Sequence, residues 1–306
     1  METASETSGW SIAAAERETG LSKDTLRIWE RRYGFPCPTR TLHGERLYSD
    51  QDMVKLRLAA RLLDKGMRPG KILALPIADL EQLSGGAGAA RSAQQDFALY
   101  LLKTRHGAEL RRELNHALMR DGLYRFVTET AAPLSALVGD VWMRGEIRIF
   151  EEHLFTEQLT GVLRNALAQV PTAGGTPRVL LTTLPLEQHG LGLLMAEALF
   201  ALEGAECVAL GTQTPVGEVV AAAVANQADA VALSFSANFA ANKVGESLRL
   251  LREALPPGIA LWCGGAGTAR GARLPEGATR IDGLEAIGQA VSDWLKSSGA
   301  PDLREG

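Results

Sequence analysis

The residues best suited to chemistry lie in Leu186-Glu187-Gln188-His189-Gly190-Leu191-Gly192. They follow a continuous apolar run, Val179 to Pro185, with the character of a buried parallel strand. Behind them Leu193 to Phe200 has the character of a helix packed on that strand. A histidine in the loop leaving a first strand sits where open α/β sheets bind ligands. Glu187 is placed to accept a hydrogen bond from one ring nitrogen of His189. That bond would fix the tautomer and raise the basicity of the nitrogen left for a metal. Gly190 and Gly192 leave room for a bulky group against the backbone. Taken alone, a loop histidine beside a carboxylate is also an ordinary hydrogen-bonded pair.

Three elements must position this stretch. At 306 residues the chain is long for one domain and suits two or three. Cys37, Cys207 and Cys263 are far apart with no metal-type spacing, which predicts a reducing cytoplasm and no disulfide framework. No signal-peptide pattern opens the chain and no apolar run is long enough to span a bilayer, so no membrane association is expected. Residues 1–76 carry 13 Lys and Arg against 10 Asp and Glu, whereas the remainder carries 19 against 26. A mildly basic first unit on an acidic body suits a DNA-reading head.

From Ser11 a short helix runs to Glu18 and stops at Gly20. Ser22 caps a second helix, Lys23 to Arg32. Tyr33 to Arg40 cannot be helical, and with Gly44 to Ser49 it predicts a β-hairpin or wing. A further helix is expected over Asp52 to Lys65. Thr25 to Phe35, Pro38-x-Arg40, Gly44-x-Arg46-x-Tyr48-Ser49 and Lys65-Gly66-Met67 arrive in the order seen in the MerR-family winged-helix DNA-binding domain, which residues 9–76 closely resemble. The resemblance implies that residues 22–32 enter the major groove and that the wing touches the backbone of a double-stranded DNA operator. Arg27, Arg40 and Arg46 suit phosphate contacts, while Lys23 and Thr25 suit base edges. Arg31 and Tyr48, inside the same motifs, complete the expected DNA-contacting set.

Ser84 to Ala90 has the composition of a flexible linker. Residues 92–170 keep helical spacing and predict a four-helix bundle punctuated by Pro133 and Gly139. After a second linker, residues 177–298 alternate strands (179–184, 207–210, 230–235, 259–263) with helices (190–203, 215–226, 242–254, 285–297). This predicts a doubly wound, flavodoxin-like parallel α/β domain. No Gly-x-Gly-x-x-Gly opens it, so a dinucleotide fold is disfavoured.

Glu187-x-His189-x-x-Gly192 resembles the Asp-x-His-x-x-Gly signature of cobalamin-binding domains, whose histidine is the lower axial cobalt ligand. Leu210 to Pro215, Ser234-Phe235-Ser236 and Cys263 to Gly267 match loops of that family in order. The resemblance implies that Gly211, Thr214 and Ser236 belong to the site, and that Ser234 and the Gly264-Gly265 turn line a slot for the nucleotide tail. The glycines there are expected to keep the slot open. Trp142 followed after nine residues by Glu152-His153 is similar to the Trp-x9-Glu-His signature of CarA/CarH-type regulators, where the bundle caps the corrin. By that resemblance Trp142 covers the upper axial group, Ile149 adds an apolar wall, Glu152 bonds an adenosyl ribose and His153 meets the corrin edge. Without it, Trp142 is a core anchor and Glu151 and Glu152 an acidic first helical turn.

The resemblance implies a light-sensing, adenosylcobalamin-dependent repressor that assembles on DNA as a dimer or tetramer and is released when light breaks the cobalt–carbon bond. A light-independent or partner-controlled cobalamin-binding repressor is the alternative. A corrinoid enzyme or carrier module is disfavoured, because no barrel-sized substrate domain exists beside the DNA head. One position departs from the pattern: Met143 stands where the family has a histidine that takes cobalt after photolysis. A thioether is a soft ligand, so no two-imidazole state is expected through this position. Glu187 in place of aspartate is a milder departure, one methylene longer.

Overall fold

The computed structural model describes residues 9–41, 44–64, 67–84, 91–237, 239, 241–268 and 273–299. Most of the first linker, Lys65-Gly66 and the chain ends therefore lie outside the described residues. The chain forms two compact units: residues up to Ser92 with Gly139–Ile149, and Ala93–Val138 with the chain from Phe150 onward.

In the first unit, strand β1 (Trp10–Ser11) leads into α1 (Ile12–Thr19) and α2 (Lys23–Tyr33). The Ser11 and Ser22 hydroxyls accept from the Ala14 and Thr25 amides. Gly20 and Gly34 close the helices at φ of 69° and 67°, which L side chains adopt at a cost. The wing is β2 (Thr39–Arg40) paired with β3 (Arg46–Tyr48), and β1 adds to the other edge of β3, giving the antiparallel order β1-β3-β2. The sequence predicted helix at Ser11. Pairing of Trp10 with Tyr48 and of Ser11 with Leu47 makes it strand and cap instead. Helices α3 (Asp50–Asp64), α4 (Pro69–Ile72) and α5 (Ile77–Ser84) follow. Leu26, Trp29, Tyr48, Met53 and Leu56 form the core over which they pack.

The second unit begins with helices α6 (Ala93–Lys103) and α7 (Gly107–Arg125), followed by a wider π-helical turn, Phe126–Ala131. Helix α8 (Ala132–Met143), whose residues from Gly139 belong to the first unit, and α9 (Ile149–Leu167) complete the helical region. Pro133 and Gly139 do not break α8. The missing N–H of Pro133 is absorbed by the π turn just before it, and the interruption falls at Gly122, with φ of 73°.

The α/β part runs β4 (Arg178–Thr182), α10 (Leu191–Leu202), β5 (Glu206–Gly211), α11 (Val216–Ala225), β6 (Ala230–Ser234), α12 (Ala241–Ala254), β7 (Ala260–Gly264), β8 (Ala278–Ile281) and α13 (Ile287–Ser298). All pairings are parallel and the order is β5-β4-β6-β7-β8. That order is flavodoxin-like. Central strands β4 and β6 are buried on both faces, which accounts for their uninterrupted apolar runs. Strand β8 went unpredicted because Ala-Thr-Arg-Ile is short and carries no continuous apolar run. The strand order reverses between β4 and β6, and at such a switch point open α/β sheets bind ligands beyond the C-terminal ends of their strands.

Candidate functional site

His189 lies in the loop after β4, at that switch point. Glu187 is 1% exposed, yet its carboxylate is fully engaged. Oε1 accepts from the His189 amide at 2.9 Å and from His189 Nδ1 at 2.7 Å, and Oε2 accepts from the Ser236 amide at 2.7 Å. Burial alone would raise the carboxyl's pKa, but the bonds from His189 and Ser236 outweigh it and hold the group below its ordinary value. The His189 ring is pushed up chiefly by its bond to Glu187, against partial burial; the charges of Glu187 and of Glu152 on α9 add to this. With Nδ1 donating to Glu187, Nε2 is the ring nitrogen that could take a metal.

The loop is braced from both sides. Thr183 Oγ1 donates to the Glu187 carbonyl at 2.7 Å and accepts from the Gln213 amide at 2.9 Å, tying the loop after β4 to the loop after β5. Thr182 Oγ1 lies 2.7 Å from Thr214 Oγ1 and donates to the Gly211 carbonyl at 3.0 Å, which brings Gly211 and Thr214 into the same loop cluster. Thr183 was not singled out in the sequence, where it reads as one more residue of a buried strand. Ser236 braces the histidine directly, its hydroxyl 3.1 Å from Nδ1.

The glycines require another explanation than an open slot. A Cβ on Gly192 would meet Ser234 Oγ at 3.1 Å, and one on Gly264 would meet the Ile281 carbonyl at 3.3 Å. At Gly265, with φ of 94°, a Cβ would collide with the Phe235 carbonyl. These glycines are needed because loops from neighbouring strands close on each other.

Of the expected capping residues, Glu152 and His153 belong to the second unit with His189. Glu152 Oε2 lies 2.7 Å from His153 Nδ1, while Oε1 accepts from Thr156 Oγ1 at 2.9 Å. Trp142 and Ile149 belong to the first unit. There the Arg57 guanidinium lies 4.5 Å from the Trp142 ring centroid.

On the DNA-reading side, Lys23, Thr25, Arg27 and Arg31 are all on α2. Arg27 and Arg31 are exposed, and Arg27 pairs with Asp24 at 3.2 Å. Glu30 is a brace the sequence did not reveal. It accepts from Arg46 Nε at 2.7 Å and from Arg40 Nη2 at 3.4 Å, pinning the wing to α2 while Arg40 stays half exposed. Tyr48 must be removed from the DNA-contacting set. It is fully buried in the core of the unit, paired across strands with Trp10, and cannot reach a groove. Ile28, an apolar residue on the same helix, is exposed.

Residues 10–75 match the MerR HTH family regulatory protein, and residues 177–283 the B12 binding domain. The chain is 30% identical over 264 residues to the HTH-type transcriptional repressor CarH of Myxococcus xanthus, covering 83% of this chain and 88% of that one. It belongs to the CarH family. The repressor CarA of the same organism is 28% identical over 226 residues, 73% of this chain and 75% of that one. Among solved structures, the monomethylamine corrinoid protein of Methanosarcina barkeri superposes with a TM-score of 0.50 at 16% identity, covering 65% of this chain and 96% of that one; this likeness concerns the fold. This CarH-family chain is thus a transcriptional regulator rather than an enzyme, with a MerR-type head and a B12-binding α/β domain. No helix among the described residues is long and apolar enough to cross a membrane.

The donor set suits a corrinoid. Among the described residues no three His, Cys, Asp or Glu side chains converge as a metal cage. One oriented imidazole is too little for a free ion, but it suits a cobalt that arrives with four equatorial nitrogens of its own.

Proposed function

We propose that this protein is a light-responsive repressor that binds operator DNA as an oligomer while it holds adenosylcobalamin. The observation that carries the reading is the Glu187–His189–Ser236 constellation at the switch point of a chain that also has a winged-helix head. Glu187 keeps the His189 proton on Nδ1, so Nε2 would be the ring atom that holds the cobalt. Ser236 holds Glu187 from the loop after the neighbouring strand β6, which keeps the ring from swinging. Glu152 supplies a carboxylate for a vicinal diol, and Trp142 with Ile149 an apolar cover for the adenosyl group. When bound, the cofactor supplies a cobalt–carbon bond that green light breaks. Glu152 and Trp142 would hold the adenosyl group in the assembled form, and without it that form would lose its advantage over the free chain. Several heads on one oligomer make DNA affinity collapse with it.

The test is the absorption spectrum and gel-filtration volume of the full chain with adenosylcobalamin, in the dark and after green light. The reading requires a bound-cobalamin spectrum, a larger assembly in the dark and a smaller one after illumination. An assembly indifferent to light favours plain ligand control. Cobalamin held equally tightly by His189→Ala overturns the site.

A further inference from the structure

The segment Gly139–Ile149 is continuous in sequence with the helices of the second unit, but it packs with the DNA-binding head. The contacts are specific. Arg61 Nη1 lies 2.6 Å from Asp140 Oδ1 and 3.8 Å from Met143 Sδ. Arg57 stacks on the Trp142 ring at 4.5 Å and donates to the Trp142 carbonyl at 3.5 Å. A Cβ on Gly145 would strike Val54 Cγ2 at 2.7 Å, so α3 and this segment approach as closely as a glycine allows. Arg57 is 7% exposed and sits between two indoles, with Trp10 of the head 5.7 Å away and Glu18 as its ion-pair partner at 3.7 Å. Val54, Arg57 and Arg61 recur at helical spacing, so one face of α3 meets this segment.

The contact is tight yet incompletely satisfied. Arg57 Nε, Arg61 Nε and Trp142 Nε1 are buried, and none has a hydrogen-bond partner among the described residues. Buried donors without acceptors are uncommon in native proteins and call for a reason. Three around one contact fit an interface that exchanges between two arrangements. Met143 lies in the same contact.

We propose that the face Val54–Arg57–Arg61 of α3, docked on Asp140–Trp142–Met143, is the device through which the DNA-binding head senses the cobalamin site. The proposal rests on the reading that Trp142 covers the upper axial group. An indole has two faces, and Arg57 occupies one. A ligand that fixes or releases the other face shifts the same ring that Arg57 holds. Arg61 and Asp140 keep the two helices in register while this happens. The coupling runs through one bistable contact and needs no change at the recognition helix itself.

Hydrogen exchange of the full chain, with and without adenosylcobalamin in the dark, tests this without knowledge of the operator. Wild-type protein should show protection at two places: residues 187–192, and residues 54–61 of α3 with a change of about 5-fold or more. In Arg61→Met and in Asp140→Asn the first response should persist and the second shrink severalfold, while the charge-swapped pair Arg61→Asp/Asp140→Arg should recover it. Because Arg57 also packs inside the head, its removal is left to a milder variant, Arg57→Lys, read for Trp fluorescence on adding cobalamin. No protection at 187–192 would defeat the site reading. Protection there with α3 unchanged in the wild type, or equally responsive in both variants, would defeat the coupling alone.

Discussion

Glu187 offers the sharpest test of how the site is built. Its carboxylate takes three hydrogen bonds while 1% exposed, two from backbone amides and one from the imidazole. In Glu187→Gln one oxygen can still accept from His189, but the new amide nitrogen then faces the Ser236 N–H, donor against donor. One charge-assisted bond is lost and a partly buried N–H is left without an acceptor, a cost of about 2–3 kcal/mol. In Glu187→Leu both backbone amides are orphaned, for about 3–6 kcal/mol, whereas the His189 ring, 55% exposed, can turn to water. A unit of roughly this size loses about 2–4 °C of melting temperature per kcal/mol, so Gln should cost about 4–12 °C and Leu more. Differential scanning calorimetry of cofactor-free protein reads this directly. Cobalamin affinity should fall about 10–100-fold in Gln, since the ring loses its orienting anion. Melting of both variants within a degree of wild type would show that the carboxylate is a surface ion pair with no structural duty, and the reasoning would fail.

The Tyr48 ring fills the head's core and its hydroxyl is buried, so Tyr48→Phe should leave affinity for an in vitro selected DNA site within 2-fold, whereas Tyr48→Ala should destabilise the head by about 3–5 kcal/mol. A tenfold loss of DNA affinity in the Phe variant would return Tyr48 to the interface. Leu186 occupies the third position of the turn Leu184–Glu187 at φ of 78°, closed by the Glu187 N–H to the Leu184 carbonyl at 3.1 Å, with its side chain 68% exposed. Relief of about 1–2 kcal/mol of left-handed strain, less about 0.5–1 for glycine's unfolded freedom, predicts that Leu186→Gly melts higher than wild type. Burial pushes the Cys207 thiol up to about 12 and the Cys263 thiol up to about 11. A raised thiol pKa means almost no thiolate at pH 8, so only exposed Cys37 should react with a disulfide reagent in the folded state, and all three after denaturation. Prompt labelling of two thiols would contradict the packing around β5 or β7.

Most of the architecture was legible because its signals are local. Ser22 and Gly34 announce the ends of α2, and uninterrupted apolar runs announce strands covered on both faces. What escaped depended on partners far along the chain. Nothing near Ser11 says that β3 will recruit it as strand, and nothing near Tyr48 says which face of the wing meets α1 and α3. Thr183 and Glu30 serve by bonding loops or strands that the sequence does not juxtapose. The site residues Glu187 and His189 were legible as a pair, since two residues of loop bring them together. Ser236 was read as a site residue, and its bond to Glu187 exists only because β6 lies beside β4.

That last adjacency also explains why a histidine serves here at all. A loop imidazole 55% exposed would ordinarily sample several rotamers and protonate near neutrality. Glu187 prevents the first by holding Nδ1, but a lone buried carboxylate would itself be unstable. The Ser236 amide, delivered from the neighbouring strand, and the His189 amide make its charge tolerable. The reversal of strand order thus does more than mark a place for a ligand. It sets a backbone donor from the loop after β6 against an acceptor from the loop after β4, and that pairing fixes the orientation of an otherwise flexible imidazole.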